Sequence, residues 1–122
     1  NAYSAMRSRH PRVVELVREA TTIILSPVIL GELLGGFRTG TRFAENLRDL
    51  SAFLDDPRVV VPPITRSTSE VYAEIAADLR RRGRPIPTND IWIAAHSLEH
   101  DAELVTRDGH FTLVEGLRVA PM

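Results

Sequence analysis

The sequence predicts an α/β fold in which a parallel sheet carries helices on both faces. Short β-branched runs alternate along the chain with longer segments whose apolar residues recur at helical spacing, which is the pattern of repeated strand–helix–strand units. The chain has 122 residues, of which 43% are hydrophobic and 25% charged, as is typical of one globular domain. We therefore expect a single domain that spans residues 1–122.

The first half of the chain predicts three helices and two strands. Residues 1–10 read as a loop with at most a short turn, and Pro11 suits the first position of a helix. Ser26 followed by Pro27 is a helix-start signal, because serine caps a helix and proline is tolerated in the first turn. In chain order we expect a helix at 11–20, a strand at 22–25, helices at 26–38 and 41–54, and a strand at 58–61.

The second half predicts two helices and two strands. Apolar residues mark one face of a long helix that ends before Gly83, and a second helix begins near Asp90. We expect these helices at 65–82 and from residue 90 onward, with strands at 103–106 and 117–120.

Two acids stand where ligands collect in such folds. Asp90 lies where a helix should begin, and Asp108 lies where a strand should end. Helix N-termini and the carboxyl ends of parallel strands share one edge of the sheet, so both carboxylates could bind one hard cation such as Mg²⁺. Each acid alone has a plain structural reading, because Asp often starts helices and Asp-Gly is an ordinary turn.

A third acid, Glu32, is the only acid of the apolar helical segment SPVILGELLGGFR. An acid inside an apolar helix is costly to bury unless it is paired or binds a metal ion. The alternative is that Glu32 faces water or pairs with an arginine. Together with the two aspartates, it favours a metal site.

Composition excludes several classes of protein. No apolar run approaches the length of a membrane span, and the absence of cysteine fits a cytoplasmic protein without disulfides. The net charge of −1 gives no general attraction to nucleic acid, so any such binding would depend on local clusters.

Four segments together resemble the PIN-domain ribonucleases, above all the VapC-type toxins of prokaryotic toxin–antitoxin pairs. These segments are NAYSAM, SPVILGELLGGFR, IPTNDIWIAA and LVTRDGHF, and their order matches the family over nearly the whole chain. The resemblance implies a PIN-like, three-layer α/β/α sandwich with a central parallel sheet. It also implies an endoribonuclease that uses Mg²⁺ or Mn²⁺ to activate the water that hydrolyses RNA.

By position, the resemblance assigns catalytic and metal-binding roles to Glu32, Asp90 and Asp108. It assigns supporting roles to Thr106 and Asn89. It further implies an RNA substrate, a cognate antitoxin protein that covers the acidic site, a homodimer and no membrane association.

One family acid is absent from this chain. The family's first strand ends in a D-T-N sequence, of which only Asn1 is present. Because that strand lies in the middle of the family's sheet, we expect roughly five to ten further N-terminal residues, an apolar strand ending in Asp-Thr. If no such strand exists, the alternative is a catalytically inactive binding module with the PIN fold.

A second alternative comes from residues 96–100, which match H-x-x-E-H, an inverted zinc-peptidase signature. Two histidines at i and i+4 share one helix face, so His96 and His100 could hold zinc with Glu99 nearby. The predicted buried face of this helix points roughly the other way. We therefore interpret the match as a chance occurrence and prefer the nuclease.

Overall fold

A computed structural model describes residues 1–122, apart from the side chain of Pro121. Within these residues the chain forms six α-helices, one 3-10 helix and four short strands. In chain order the elements are α1 (Ala2–Arg7), α2 (Pro11–Glu19), β1 (Ile23–Ile24), α3 (Pro27–Thr39), α4 (Phe43–Leu54), β2 (Val59–Val60), α5 (Arg66–Arg81), α6 (Thr88–Glu99), β3 (Leu104–Thr106), the 3-10 helix (Gly109–Leu113) and β4 (Val119–Pro121). None of the helices in this part of the chain is both long and apolar enough to cross a membrane.

The elements divide into two compact units. The small unit comprises residues 20–63, and the large unit comprises residues 1–19 together with residues 64–122. The small unit therefore holds β1, α3, α4 and β2, and the large unit holds the remaining elements.

In the small unit, β1 pairs with β2 in parallel, and the two helices that lie between these strands in sequence, α3 and α4, pack against each other. Ile23 pairs with Val59 and Ile24 with Val60. The helix α3 begins as predicted, since the Ser26 hydroxyl oxygen accepts a hydrogen bond from the Val28 amide over 3.2 Å. This start sets the register of the helix that carries Glu32.

In the large unit, α5 packs along α6, and β3 runs parallel to β4. The single tryptophan of the chain, Trp92 on α6, stacks on Tyr72 of α5 with ring centroids 4.2 Å apart and 29° between the ring planes. Near the other end of the pair, the Thr68 hydroxyl donates a hydrogen bond to Glu99 Oε1 over 2.7 Å. Contacts at two positions along the helix therefore hold α6, which carries Asp90, against α5.

The α/β class with parallel strands is confirmed. Each predicted strand forms within two residues of its expected bounds, and all pairing is parallel. The ladder hydrogen bonds join β1 to β2 in the small unit and β3 to β4 in the large unit.

The expected loop at residues 1–10 is wrong, because residues 2–7 form the helix α1. The Asn1 side-chain oxygen accepts a hydrogen bond from the Ser4 amide over 2.9 Å and caps this helix. Tyr3 and Ala5 are buried at its inner side, and that burial stabilises a helix too short to be stable alone. The single domain over residues 1–122 and the strand before Asn1 both stay predictions.

Candidate metal centre

Asp90 lies in the first turn of α6, as the sequence predicted. The helix starts at Thr88 after Pro87, and the Asp90 amide donates a hydrogen bond to the Pro87 carbonyl over 3.0 Å. The Asp90 side chain is 18% exposed. The positive end of the helix dipole favours a carboxylate in the first turn, and at this position the carboxylate remains partly open to solvent.

Asp108 follows β3 by two residues and caps the 3-10 helix. Its amide donates a hydrogen bond to Thr106 Oγ1 over 3.0 Å, and its own Oδ1 accepts one from the His110 amide over 3.4 Å. These bonds close a compact turn at the end of the strand. The Thr106 hydroxyl thus holds the backbone amide of Asp108, and its supporting role at a metal site stays a prediction.

His110 joins the two aspartates. Its Nε2 contacts Asp90 Oδ2, and its Nδ1 lies 2.8 Å from Asp108 Oδ1. One ligand atom from each of these three side chains lies within 4.8 Å of the other two. We call Asp90, Asp108 and His110 the Asp–His cluster; it is partly open to solvent, with the His110 side chain 31% exposed.

The Asp–His cluster fits a small divalent cation. Its donor atoms are carboxylate oxygens and imidazole nitrogens, which are metal ligands in proteins. Both carboxylates are directed at the same imidazole, so negative charge is concentrated there from two sides. A divalent cation bound there would neutralise that charge.

Two further predicted site residues, Glu32 and Asn89, are described by their own surroundings. Glu32 is in α3 of the small unit and is exposed, so it does not carry the burial cost that the apolar helix suggested. Asn89 is exposed in the first turn of α6. The metal-binding role of Glu32 and the supporting role of Asn89 stay predictions.

Sequence reasoning missed His110. Its only local signal is its position two residues after Asp108, where an Asp-Gly turn can direct a side chain back toward the capping acid. Its contact with Asp90 joins residues twenty positions apart and depends on the packing of the large unit.

The H-x-x-E-H residues of α6 form a second cluster. One ligand atom from each of His96, Glu99 and His100 lies within 4.8 Å of the other two. The expectation that His96 points away from the buried face is wrong, since His96 is only 1% exposed. The reason is that α6 is buried around most of its circumference, with consecutive residues from Ile93 to Ser97 inside. Glu99 in turn accepts the hydrogen bond from Thr68, so these residues take part in packing α6 against α5.

Comparisons with known proteins agree on one family. The family model for the PIN domain matches residues 1–117. Ribonuclease VapC2 of Rickettsia felis is 30% identical over 95 residues, which is 78% of this chain and 69% of that protein. Ribonuclease VapC4 of Mycobacterium tuberculosis is also 30% identical over 95 residues, covering 78% of this chain and 73% of that protein.

Solved structures share the fold. The crystal structure of VapBC2 from Rickettsia felis, bound to a DNA fragment from its promoter, matches with a TM-score of 0.86 and 26% identity, over 100% of this chain and 94% of that chain. VapBC-1 from nontypeable Haemophilus influenzae has the same fold, with a TM-score of 0.83 and 24% identity, over 98% of this chain and 90% of that chain. By its family model and its relatives, the chain belongs to the PIN-domain family and, within it, to the VapC ribonucleases.

Proposed function

We propose that this chain is a metal-dependent endoribonuclease and the toxin of a toxin–antitoxin module. Membership of the VapC ribonucleases supports the reaction class. The observation that carries the metal dependence is the convergence of Asp90 and Asp108 on one imidazole at the surface of the large unit. The residues predicted to act there are Glu32, Asp90 and Asp108, with Thr106 and Asn89 in support.

In this proposal the carboxylates of Asp90 and Asp108 would hold Mg²⁺ or Mn²⁺ through oxygen. The family resemblance assigns Glu32, in the small unit, to the same role. The bound ion would lower the pKa of a water molecule and neutralise charge on the scissile phosphate. Thr106 keeps the turn that positions Asp108. His110 holds the two carboxylates together when its nitrogens bind both.

The proposed partners follow from the family and from the charge of the site. The structural relatives are VapBC complexes, which supports an antitoxin partner for this chain as well. A guanidinium of that partner would suit the Asp–His cluster, because arginine forms strong bonds with carboxylates. RNA is the proposed substrate, and the cytoplasm is the expected location because RNA and a newly made antitoxin meet the toxin there.

The family resemblance implies a homodimer, and the apolar residues Tyr3 to Met6 and Ile29 to Phe37 are the sequence's support for it. Tyr3 and Ala5 are buried within the chain itself, so they offer little surface to a second copy. The remaining support is the apolar stretch from Ile29 to Phe37 on α3, where Ile29 and Phe37 themselves are half-buried.

The zinc-peptidase alternative is not favoured, because the chain belongs to a ribonuclease family and His96 is buried in helix packing. The inactive binding module remains the alternative that an experiment must separate from the nuclease.

The deciding experiment is cleavage of a mixed RNA pool by the intact protein with Mg²⁺, with Mn²⁺ and with EDTA. We expect cleavage with either ion and none with EDTA. Asp90→Asn should reduce cleavage to background while the folded circular dichroism spectrum is retained, since the change removes charge and keeps shape. Asp108→Asn and Glu32→Gln should weaken cleavage.

The matched control is Asp101→Asn, which makes the same change at a side chain that is 95% exposed in the same unit. It should cleave like the native protein. Full activity of Asp90→Asn would overturn the site assignment, and a folded native protein without metal-dependent cleavage would favour the binding module.

A further inference from the structure

We propose that His110 is itself a ligand of the metal ion, and that the resulting mixed oxygen and nitrogen site binds Mn²⁺ in preference to Mg²⁺. This inference rests on the proposed function and deepens it, because it names the metal class and adds a residue to the site. The observation that carries it is the position of the imidazole between two carboxylates, with a contact to each from a different ring nitrogen.

The geometry allows the ring to bind an ion without leaving the site. One ligand atom from each of the three side chains already lies within 4.8 Å of the others, so small rotations can direct them to one ion. His110 is also held near Asp108 by its own backbone, whose amide donates to Asp108 Oδ1. A ring displaced by an incoming ion would therefore remain within reach of it.

The second ring nitrogen supplies the orientation that metal-binding histidines usually have. Such histidines donate their other N–H to a carboxylate, a carbonyl or a water molecule, which fixes the tautomer and the ring plane. Here each ring nitrogen has a carboxylate partner, so whichever nitrogen binds the ion, the other keeps an acceptor. The carboxylate released by the ligating nitrogen is then free to bind the same ion.

The donor set determines the metal preference. Mg²⁺ takes oxygen ligands in near-octahedral geometry and keeps several of its waters, so an imidazole adds little to its binding. Imidazole is a typical ligand of first-row transition ions, and Mn²⁺, the weakest binder of that series, also accepts carboxylate and water. Of the two ions proposed for this site, Mn²⁺ is therefore the one that gains from an imidazole. The contribution of His110 should therefore be present for Mn²⁺ and small for Mg²⁺.

The test measures metal binding directly and does not depend on catalysis. Electron spin echo envelope modulation of the Mn²⁺-loaded intact protein should show coupling to ¹⁴N from a bound imidazole. His110→Gln should abolish that coupling and weaken Mn²⁺ affinity by at least about tenfold, because even the loss of a group that only orients a ligand typically costs that much. Mg²⁺ affinity, measured by isothermal titration calorimetry, should change much less.

The matched control is His100→Gln, a change at a histidine of the same unit outside the Asp–His cluster. It should retain both the ¹⁴N coupling and the Mn²⁺ affinity, and His110→Ala serves as a second variant if the glutamine protein does not fold. The inference is overturned if the native protein with Mn²⁺ bound shows no ¹⁴N coupling, or if the coupling persists without His110.

The two proposals fail separately. If the native protein cleaves RNA and Asp90→Asn does not, but no ¹⁴N coupling exists, the nuclease assignment stands and the role of His110 is wrong. If Asp90→Asn keeps full activity, the nuclease site is wrong whatever the spectrum of the Mn²⁺ complex.

Discussion

The Thr68 hydroxyl donates to Glu99 Oε1 over 2.7 Å and so connects the first turn of α5 to the last residue of α6. The oxygen of this Thr68 hydroxyl also accepts a hydrogen bond from the Thr65 amide over 3.1 Å, at the start of α5. Thr68 is completely buried. One hydroxyl therefore gives a hydrogen-bond partner both to a backbone amide at the start of α5 and to the Glu99 carboxylate, at a place where water has little access.

Replacing Thr68 by valine should destabilise the protein, because the shape is kept while both hydrogen bonds are lost. We expect the free energy of unfolding to fall by about 1–3 kcal/mol, the usual cost of leaving a shielded polar partner unsatisfied. Urea denaturation followed by circular dichroism would measure it. Ser69→Ala removes an exposed hydroxyl from the same helix and should change stability much less. Equal stability of the Thr68→Val and native proteins would contradict this role.

Replacing Thr106 by valine should weaken the metal site without unfolding the protein. The Thr106 hydroxyl accepts a hydrogen bond from the Asp108 amide. Loss of this bond should loosen the turn that positions the Asp108 side chain. Groups that orient metal ligands typically contribute at least about tenfold to affinity or activity. Mn²⁺ titration and RNA cleavage should both show the loss, and Thr106→Ser should restore them. If the serine variant is as impaired as the valine variant, the hydroxyl is not the cause.

The stability of the small unit should depend on the charge of Asp56. The side-chain hydrogen bonds from Arg58, followed by the bond from the Arg58 amide, lower the pKa of the Asp56 carboxyl below its ordinary value of 3.8. A lowered pKa in the folded state stabilises the protein above the unfolded pKa, and this stabilisation is lost as the pH falls through the folded pKa. Because both side chains are about one-third exposed, solvent screening keeps the effect small.

The native protein should therefore be more stable than Asp56→Asn at pH 7, and the difference should shrink as the pH falls below about 3.8. Urea unfolding at several pH values would measure the difference. Asp55→Asn, which removes the same charge one residue earlier, is the control. If the difference in stability between the native and Asp56→Asn proteins instead grows toward acid pH, the pKa of Asp56 is not lowered by folding and the prediction is wrong.

Gly83 and Gly36 should respond to alanine in opposite directions. Gly83 follows α5 with a φ of +64°, where a side chain costs roughly 1–2 kcal/mol, so Gly83→Ala should be destabilising. Gly36 lies inside α3, and a Cβ added there meets nothing within 4 Å. Gly36→Ala should therefore stabilise the protein by about 0.5–1 kcal/mol. Thermal unfolding of the two variants and the native protein would test both changes in stability. A Gly83→Ala protein as stable as the native one would contradict the first prediction.

Features encoded within a few residues were predictable from the sequence. The start of α3 follows from Ser26 and Pro27 alone, and the structure has the cap that this pair predicts. Asp90 and Asp108 were placed at a helix start and after a strand, and both positions are confirmed. Their proximity followed from the common edge of parallel α/β structures, and their shared contact with His110 agrees with it.

Features that depend on packing were not predictable from the sequence. The helix α1 has six residues, so its stability comes from burying Tyr3 and Ala5 and not from propensity. The burial of His96 was missed because periodicity assumes one buried face, whereas α6 is covered on several sides. The link from His110 to Asp90 depends on the approach of two distant segments, which no local pattern encodes.

The stacking of Trp92 on Tyr72 gives the protein an intrinsic fluorescent reporter at a defined place. Because the chain has no other tryptophan, the emission of Trp92 monitors the packing of α5 against α6. Trp92 lies two residues after Asp90, so it reports on the helix that carries the predicted metal ligand. Far-UV circular dichroism, in contrast, follows helices in both units. Melting curves from the two signals will coincide if the large and small units unfold in one cooperative step, and will separate if each unit unfolds on its own.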